Sequence, residues 1–267
     1  MDFLGLSGKR IVVMGVANRR SVAAAAAAVL REAGAELIYL FKDQELLEKN
    51  RQLIGGGDVP ALVCDASSDD DLATLPERLA PYAPSIDGLL HSIAFAPYSE
   101  GLQPFHSTPR QDFLTAMDIS CFSLVRLCGC LKGLFAPDAS IVTMSISTTR
   151  MASESYGYMG PIKAALDSSV VFLAKSLSSA VSPRIRVNAV GASPLKTSAS
   201  AGIPGYVDSY LYAEKATLRH QAVQTPEVGN AIAFLLSGRS SGINAQTIVV
   251  DAGMSCNYFD EQLVHNK

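Results

Sequence analysis

The sequence contains no tryptophan, few other aromatic residues and little charge. Of its 267 residues, 7% are aromatic and 18% are charged, and the net charge is −3 at pH 7. It therefore lacks the excess of basic residues that attracts a nucleic-acid backbone or an anionic membrane surface. On this ground we predict that the protein binds neither nucleic acid nor a membrane.

Long hydrophobic segments are also missing. The longest apolar run, 22–30, is mostly alanine and is much shorter than the ~20 residues of a transmembrane helix. The first ten residues lack the basic start and apolar centre of a secretory signal. The five cysteines are odd in number and do not show the spacing of a metal site. We expect a cytoplasmic protein with free thiols and without a metal.

Apolar residues, in contrast, make up 48% of the chain, which is enough for a large buried core. Short β-branched runs alternate with helical patterns, and such alternation predicts an α/β fold. We expect a single-domain Rossmann fold over residues 1–267, a seven-stranded parallel sheet with helices on both faces, and a substrate lid at about 193–224. The seven strands are predicted at 11–14, 37–41, 61–64, 88–93, 139–145, 185–190 and 246–250.

The ends of these strands carry residues that suit a dinucleotide, because ligands of open parallel sheets bind beyond the carboxyl ends of the strands. Gly15 ends the first strand, and the helix that follows offers free N–H groups to a pyrophosphate. Asp65 and Ser92 end the third and fourth strands. An ordinary strand–helix turn is the alternative, because the other glycines of the usual dinucleotide motif are missing.

Lys42 follows the second strand, at the place where an acidic residue would bind the ribose 2′-hydroxyl of NADH. A lysine there favours the 2′-phosphate of NADPH, although the neighbouring Asp43, an acidic residue, weakens this preference. A solvated surface charge explains Lys42 equally well. The sequence therefore predicts NADH or NADPH, with an inclination toward NADPH.

Tyr156 and Lys163 lie at the start of the helix after the fifth strand. A tyrosine hydroxyl has an unperturbed pKa of ~10, and a nearby ammonium favours its ionised form. The pair suits protonation or polarisation of an oxygen atom during hydride transfer. By itself, a tyrosine followed by a lysine is too common to identify an activity.

His91, on the fourth strand, is expected to be a packed structural residue.

In combination, these segments resemble the bacterial NAD(P)H-dependent enoyl-acyl-carrier-protein reductases, a divergent branch of the short-chain dehydrogenase/reductase superfamily. The Gly-x5-Ser first turn and the Tyr-x6-Lys spacing distinguish this branch from the wider superfamily, which has Tyr-x3-Lys. The resemblance extends over nearly the whole chain in GKRIVVMGVANRRSVA (8–23), CDAS (64–67), DGLLHSIAFAP (87–97), DISCFS (118–123), YGYMGPIKAALD (156–167), IRVNAV (185–190), PLKTSASAGI (194–203), EVGNAIAFLLS (227–237) and VVDAGM (249–254).

The resemblance implies a homotetramer that uses NADH or NADPH to reduce the trans-2 double bond of an acyl thioester on an acyl carrier protein. Tyr156 and Lys163 correspond to the catalytic residues; the tyrosine stabilises an enolate, and the lysine holds the nicotinamide ribose. With Lys163 and Lys42, the expected cofactor-binding residues are Gly15, Ser21, Val22, Asp65, Ala66, Ser92, Ala94, Leu195 and Thr197. The expected substrate pocket consists of Phe95, Ala96, Ile146, Tyr156, Met159, Ala199 and Tyr206.

Ile146 departs from the family pattern, because the family has a second tyrosine ten residues before the active one. An isoleucine cannot donate a hydrogen bond. Either it only reshapes an apolar wall, or the acyl pocket or the reaction has changed. In the second case Ser145, Ser147 or Tyr158 is a candidate for a replacement hydroxyl.

The lid is the second departure. Relatives often carry basic residues that face the acidic carrier protein, whereas this chain has Pro204, Val207 and Asp208. A paralogue for a specialised pathway, such as polyketide assembly, fits this change. Two other hypotheses stay open: a carbonyl or imine reductase that uses the same Tyr156–Lys163 pair, and a nucleotide-binding paralogue without turnover.

Overall fold

The computed structural model of the protein describes residues 2–153, 156–197, 200, 202–203 and 205–265. Within them, the chain forms β1 (Arg10–Met14), β2 (Glu36–Phe41), β3 (Ala61–Val63), β4 (Ile86–His91), β5 (Phe135–Ile146), β6 (Arg186–Ala192) and β7 (Thr247–Val250). These strands make one sheet in the order β3-β2-β1-β4-β5-β6-β7, and all neighbouring pairs are parallel. The predicted seven-stranded parallel sheet is confirmed.

Helices connect the strands and lie on both faces of the sheet. Their bounds are α1 (Val22–Glu32), α2 (Gln44–Ile54), α3 (Asp69–Leu79), α4 (Arg110–Met117), α5 (Ser123–Leu131), α6 (Met159–Ala180), α7 (Tyr206–Ala216), α8 (Thr225–Leu236) and α9 (Glu261–His265). A π-helical turn, Asp118–Phe122, joins α4 to α5 in one continuous helical segment. The lid predicted at 193–224 contains α7, which the sequence pattern did not reveal.

Two hydrophobic clusters form the core, one on each face of the sheet. Val12 and Met14 of β1 belong to one cluster, and Ile11 and Val13 belong to the other. Strands that are buried on both faces need apolar residues at every position, which explains the continuous apolar runs of the sequence.

The alanine run in α1 lets this helix pack closely against α8. A Cβ atom on Gly229 of α8 would lie only 3.0 Å from the backbone of Ala25.

By length and composition, the helical segment Arg110–Leu131 could cross a membrane. Ala116, Leu124, Leu127 and Leu131 within it are fully buried and pack in the core cluster that also contains residues of α3 and α6. The core therefore accounts for the apolar composition of this segment.

Candidate active site

The order of the strands reverses between β1 and β4, and their carboxyl ends form a crevice. Gly15 has a φ of +110° there, and a Cβ atom on it would lie 2.1 Å from the carbonyl oxygen of Ser92. Only glycine fits such an approach. The N-terminus of α1, capped by Ser21 through its bond from the Ala24 N–H (3.3 Å), begins at the same crevice. The close backbone approach at Gly15 and the free N–H groups at the N-terminus of α1 together fit a pyrophosphate.

The crevice continues past β2 and β3. Asp65 and Ala66 follow β3, and the Asp65 carboxylate accepts hydrogen bonds from the N–H and hydroxyl of Ser67 at 2.8 and 2.7 Å. Lys42 is exposed directly after β2. The carboxylate of Asp43 accepts a bond from the Leu46 N–H at 2.7 Å and caps α2. Asp43 thus has a structural role, and Lys42 is the residue at the end of β2 that is free to meet a ligand.

Lys163 lies in the second turn of α6 and is only 3% exposed. Its Nζ donates a hydrogen bond of 2.7 Å to the Met144 carbonyl oxygen, which ties the helix to β5. Burial lowers the pKa of Lys163 to about 8, and the nearby Cys121 and Asp167 oppose this shift. The ammonium form therefore predominates at neutral pH but is lost at a mildly alkaline pH.

Tyr156 lies in the turn that precedes α6, where its carbonyl oxygen accepts a bond from the Met159 N–H at 3.2 Å. Burial raises the pKa of the Tyr156 hydroxyl, and the neighbouring Tyr206 and Tyr98 raise it further. We expected the lysine to favour the ionised tyrosine, but burial is the largest influence on this pKa. Tyr156 is consequently protonated at neutral pH, as a hydrogen-bond donor must be.

At the end of β5, Ile146 is half-buried and pairs with Ala192 of β6. The hydroxyls of Ser145 and Ser147 on either side of it are buried, and within the described residues neither has a hydrogen-bond partner. Unsatisfied buried hydroxyls are rare in folded proteins, and a bound polar ligand is one way to satisfy them. They fit the polar groups of a dinucleotide or a thioester at this strand end.

The loop after β4 carries the predicted pocket residues Phe95 and Ala96. Ser120 clamps it, because its hydroxyl accepts a bond from the Phe95 N–H (2.8 Å) and donates one to the Phe95 carbonyl oxygen (2.9 Å). Phe95 and Ala94 are exposed, and Ala96 is half-buried. Met159, which we predicted in the pocket, is buried in the core cluster together with Ile162.

In the segment predicted as a lid, Tyr206 of α7 holds Leu195 through its hydroxyl. This hydroxyl accepts a bond from the Leu195 N–H at 2.7 Å and donates one to the Leu195 carbonyl oxygen at 2.9 Å. The Thr197 N–H bonds to the Ser200 hydroxyl at 3.0 Å. Leu195 and Thr197, both predicted to bind the cofactor, are thus held beside Tyr206, which was predicted in the pocket. Ala199 lies outside the described residues.

His91 is fully buried between two hydroxyls, with Nδ1 2.9 Å from Thr143 Oγ1 and Nε2 2.9 Å from Ser123 Oγ. Burial lowers its pKa to about 3. Its geometry is that of a packed structural residue, as we predicted.

Sequence reasoning did not find the residues that hold the site together. Asp112 of α4 accepts bonds from the Ser99 N–H and hydroxyl, both at 2.8 Å, and Tyr98 contacts the turn that carries Tyr156. The partners are up to 58 residues apart in sequence. A pattern with the period of a helix or strand cannot reveal contacts at such separations.

The sequence pattern of the enoyl-(acyl carrier protein) reductase family matches residues 15–255. The chain belongs to this family. Among its relatives, the enoyl-acyl-carrier-protein reductase (NADH) of Nostoc sp. is 37% identical over 94% of this chain and 97% of its own length. The enoyl-acyl-carrier-protein reductase (NADPH) of Staphylococcus aureus is 34% identical over 94% of this chain and 98% of its own length.

A solved structure from the same family has a similar fold. The enoyl-acyl-carrier-protein reductase (NADH) of Aquifex aeolicus superimposes with a TM-score of 0.90 at 32% identity, and the match covers 96% of this chain and 99% of that chain. The resemblance on which we based the expected fold and activity is therefore confirmed at the level of the family.

Proposed function

We propose that the protein is an enoyl-acyl-carrier-protein reductase that reduces the trans-2 double bond of an enoyl thioester in fatty-acid or polyketide-type synthesis. The observation that carries this proposal is that the buried Lys163 bonds to the Met144 carbonyl oxygen of β5, while Tyr156 lies in the turn that leads into the same helix, α6. Membership in the reductase family supports the same substrate class.

The cofactor is NADH or NADPH, as the names of the relatives state for those proteins. Gly15, Ser21 and the N-terminus of α1 would hold its pyrophosphate, and Lys163 would hold the nicotinamide ribose. When bound, the cofactor supplies a hydride to the β-carbon of the thioester. Lys42, with Asp43 occupied as a helix cap, favours the form that carries a 2′-phosphate.

Tyr156 acts on the substrate oxygen. As the β-carbon accepts a hydride, negative charge develops on the thioester oxygen, and the protonated Tyr156 hydroxyl donates a hydrogen bond to it. Its raised pKa keeps the donor proton in place at neutral pH. The resulting enolate is neutralised when its α-carbon takes up a proton from water.

We infer that the segment 193–224 is the substrate lid, with the latch between Tyr206 and Leu195 as its closed contact. Val207 and Asp208 are exposed on α7, and Pro204 lies outside the described residues. Because Val207 and Asp208 are not basic, we infer that an acyl carrier protein docks at this part of α7 with little help from basic residues.

The five free thiols suit a reducing compartment, and we propose the cytoplasm.

Two exposed apolar surfaces support a homotetramer. On α6 and the adjoining π-helical turn, Phe172, Val171 and Phe122 are 74%, 48% and 50% exposed. On α8 and the edge strand β7, Phe234 and Val249 are 40% and 49% exposed. Exposed apolar surface of this kind marks contacts with other chains. Two separate surfaces allow two kinds of contact, which together join four copies.

The test of the proposed activity is oxidation of NADH and NADPH with a crotonyl thioester, on coenzyme A and on an acyl carrier protein, compared with simple ketones. We expect turnover of the thioesters only. Turnover of ketones without thioesters would identify a carbonyl reductase instead. Nucleotide binding without any turnover would identify a catalytically silent paralogue.

A further inference from the structure

The loop 95–99, which follows β4 and borders the site, is fixed to two neighbouring elements. At its start, Ser120 of the π-helical turn clamps the backbone of Phe95. At its end, the buried carboxylate of Asp112 in α4 accepts both bonds from Ser99. The loop is therefore a firm support against which a neighbouring segment can be placed.

Tyr98, inside this loop, has a left-handed backbone conformation with a φ of +46°. A bulky side chain makes this conformation unfavourable, and glycine is the residue that adopts it without strain. Such a residue persists only when surrounding contacts hold it, and residues of this kind cluster at functional sites. The contacts of Tyr98 therefore indicate which part of the site it supports.

The N–H and the side chain of Tyr98 contact the turn that carries Tyr156, while its carbonyl oxygen accepts a bond from the Gly101 N–H at 2.9 Å. The Tyr98 N–H donates to the Tyr158 hydroxyl at 3.2 Å, and the Tyr98 hydroxyl donates to the Tyr156 carbonyl oxygen at 3.4 Å. The rings of Tyr98 and Tyr158 lie 5.1 Å apart. Tyr98 thus holds the turn on both sides of Gly157, whose φ of +51° makes it the pivot between the two tyrosines.

We propose that Tyr98 is a positioning residue that fixes the orientation of Tyr156 by bracing the turn 156–158 against the loop 95–99. The inference rests on the proposed reductase function, in which the Tyr156 hydroxyl must meet the thioester oxygen. Tyr156 precedes α6, so the helix alone does not orient it. Ile146 forms no hydrogen bond through its side chain, whereas the Tyr98 hydroxyl bonds directly to the backbone of this turn.

The test compares Tyr98→Phe and Tyr98→Gly with the wild type. Glycine accepts the left-handed backbone but removes the ring and the hydroxyl; phenylalanine removes only the bond to the Tyr156 carbonyl. We expect Tyr98→Gly to lower kcat about 10- to 100-fold, with nearly unchanged KM for the cofactor. The rate of Tyr98→Phe is expected to be intermediate, because the ring contact remains. Tyr82→Phe, at an exposed tyrosine distant from the site, is the control.

Hydrogen exchange in the turn gives a readout that does not need activity. Amides in the segment 156–162 are expected to exchange faster in Tyr98→Gly, while the melting temperature changes little because the strain is relieved. A wild-type kcat or unchanged hydrogen exchange in Tyr98→Gly would overturn the proposal. A decrease in kcat that is no larger than the decrease in the fraction of folded protein would also overturn it. If the wild type itself turned over no thioester, the reductase function would fail, and exchange alone would decide the role of Tyr98.

Discussion

Burial shifts the pKa values of the two central residues in opposite directions. It raises the pKa of the Tyr156 hydroxyl and lowers that of the Lys163 ammonium to about 8. Both shifts favour the uncharged form, because a buried charge is poorly solvated. At neutral pH the site therefore combines a protonated phenol with an ammonium group that is close to losing its proton.

The hydroxyl of Tyr156 is expected to act mainly in the transition state. We predict that Tyr156→Phe lowers kcat by about 100-fold or more and leaves the Kd of the cofactor within a factor of about two. Steady-state kinetics and fluorescence titration of the reduced nucleotide measure the two quantities. Tyr82→Phe, at an exposed tyrosine after α3, is the control. A loss of binding as large as the loss of rate would contradict the assigned role.

We expect Lys163 to make cofactor binding dependent on pH. Its ammonium is present below pH 8 and is lost above it, so the Kd of the cofactor is expected to rise as the pH passes from 7 through about 8 to 9. Lys163→Ala should bind more weakly at pH 7 and lose this rise. Fluorescence titration across the pH range checks both outcomes. An identical pH dependence in Lys163→Ala would show that another group is responsible.

Among the elements, the strands were predictable because a strand buried on both faces is a continuous apolar run. The strand ends then placed Gly15, Lys42, Asp65 and Ser92 at one edge of the sheet. The π-helical turn escaped prediction because it keeps the apolar pattern of the helix around it. The segment α7 escaped because its buried face is short and packs with Met254 in a small cluster apart from the two large ones.

We expect the end of β2 to determine the preference between the two nucleotides. We predict that Lys42→Ala lowers kcat/KM for NADPH about three- to tenfold relative to NADH, as is typical of an exposed charge contact. The Asp43 cap of α2 is not affected by this change. Lys49→Ala, an exposed lysine within α2, is the matched control and should leave the ratio unchanged. An unchanged ratio in Lys42→Ala would mean that Lys42 is a solvated surface charge.

At the scale of the whole molecule, we predict four copies in solution. Size-exclusion chromatography with light scattering should give four times the mass of 28.2 kDa. Phe172→Glu is expected to produce smaller species, because it places a charge on the apolar surface of α6. Tyr82→Glu, at an exposed site after α3, should keep the wild-type mass. A monomeric wild type would leave both apolar surfaces without the proposed role.

The buried His91 has a consequence for stability in acid. In the unfolded chain it takes up a proton below a pH of about 6.5, whereas in the folded chain its pKa is about 3. Unfolding therefore consumes a proton between these values, and stability falls by up to about 1.4 kcal/mol per pH unit as the medium is acidified below pH 6.5. Urea unfolding at pH 7 and pH 5 measures the loss, which His91→Asn should reduce. The hydrogen bonds that join β4, β5 and α5 in neutral solution thus make this junction the acid-sensitive point of the fold.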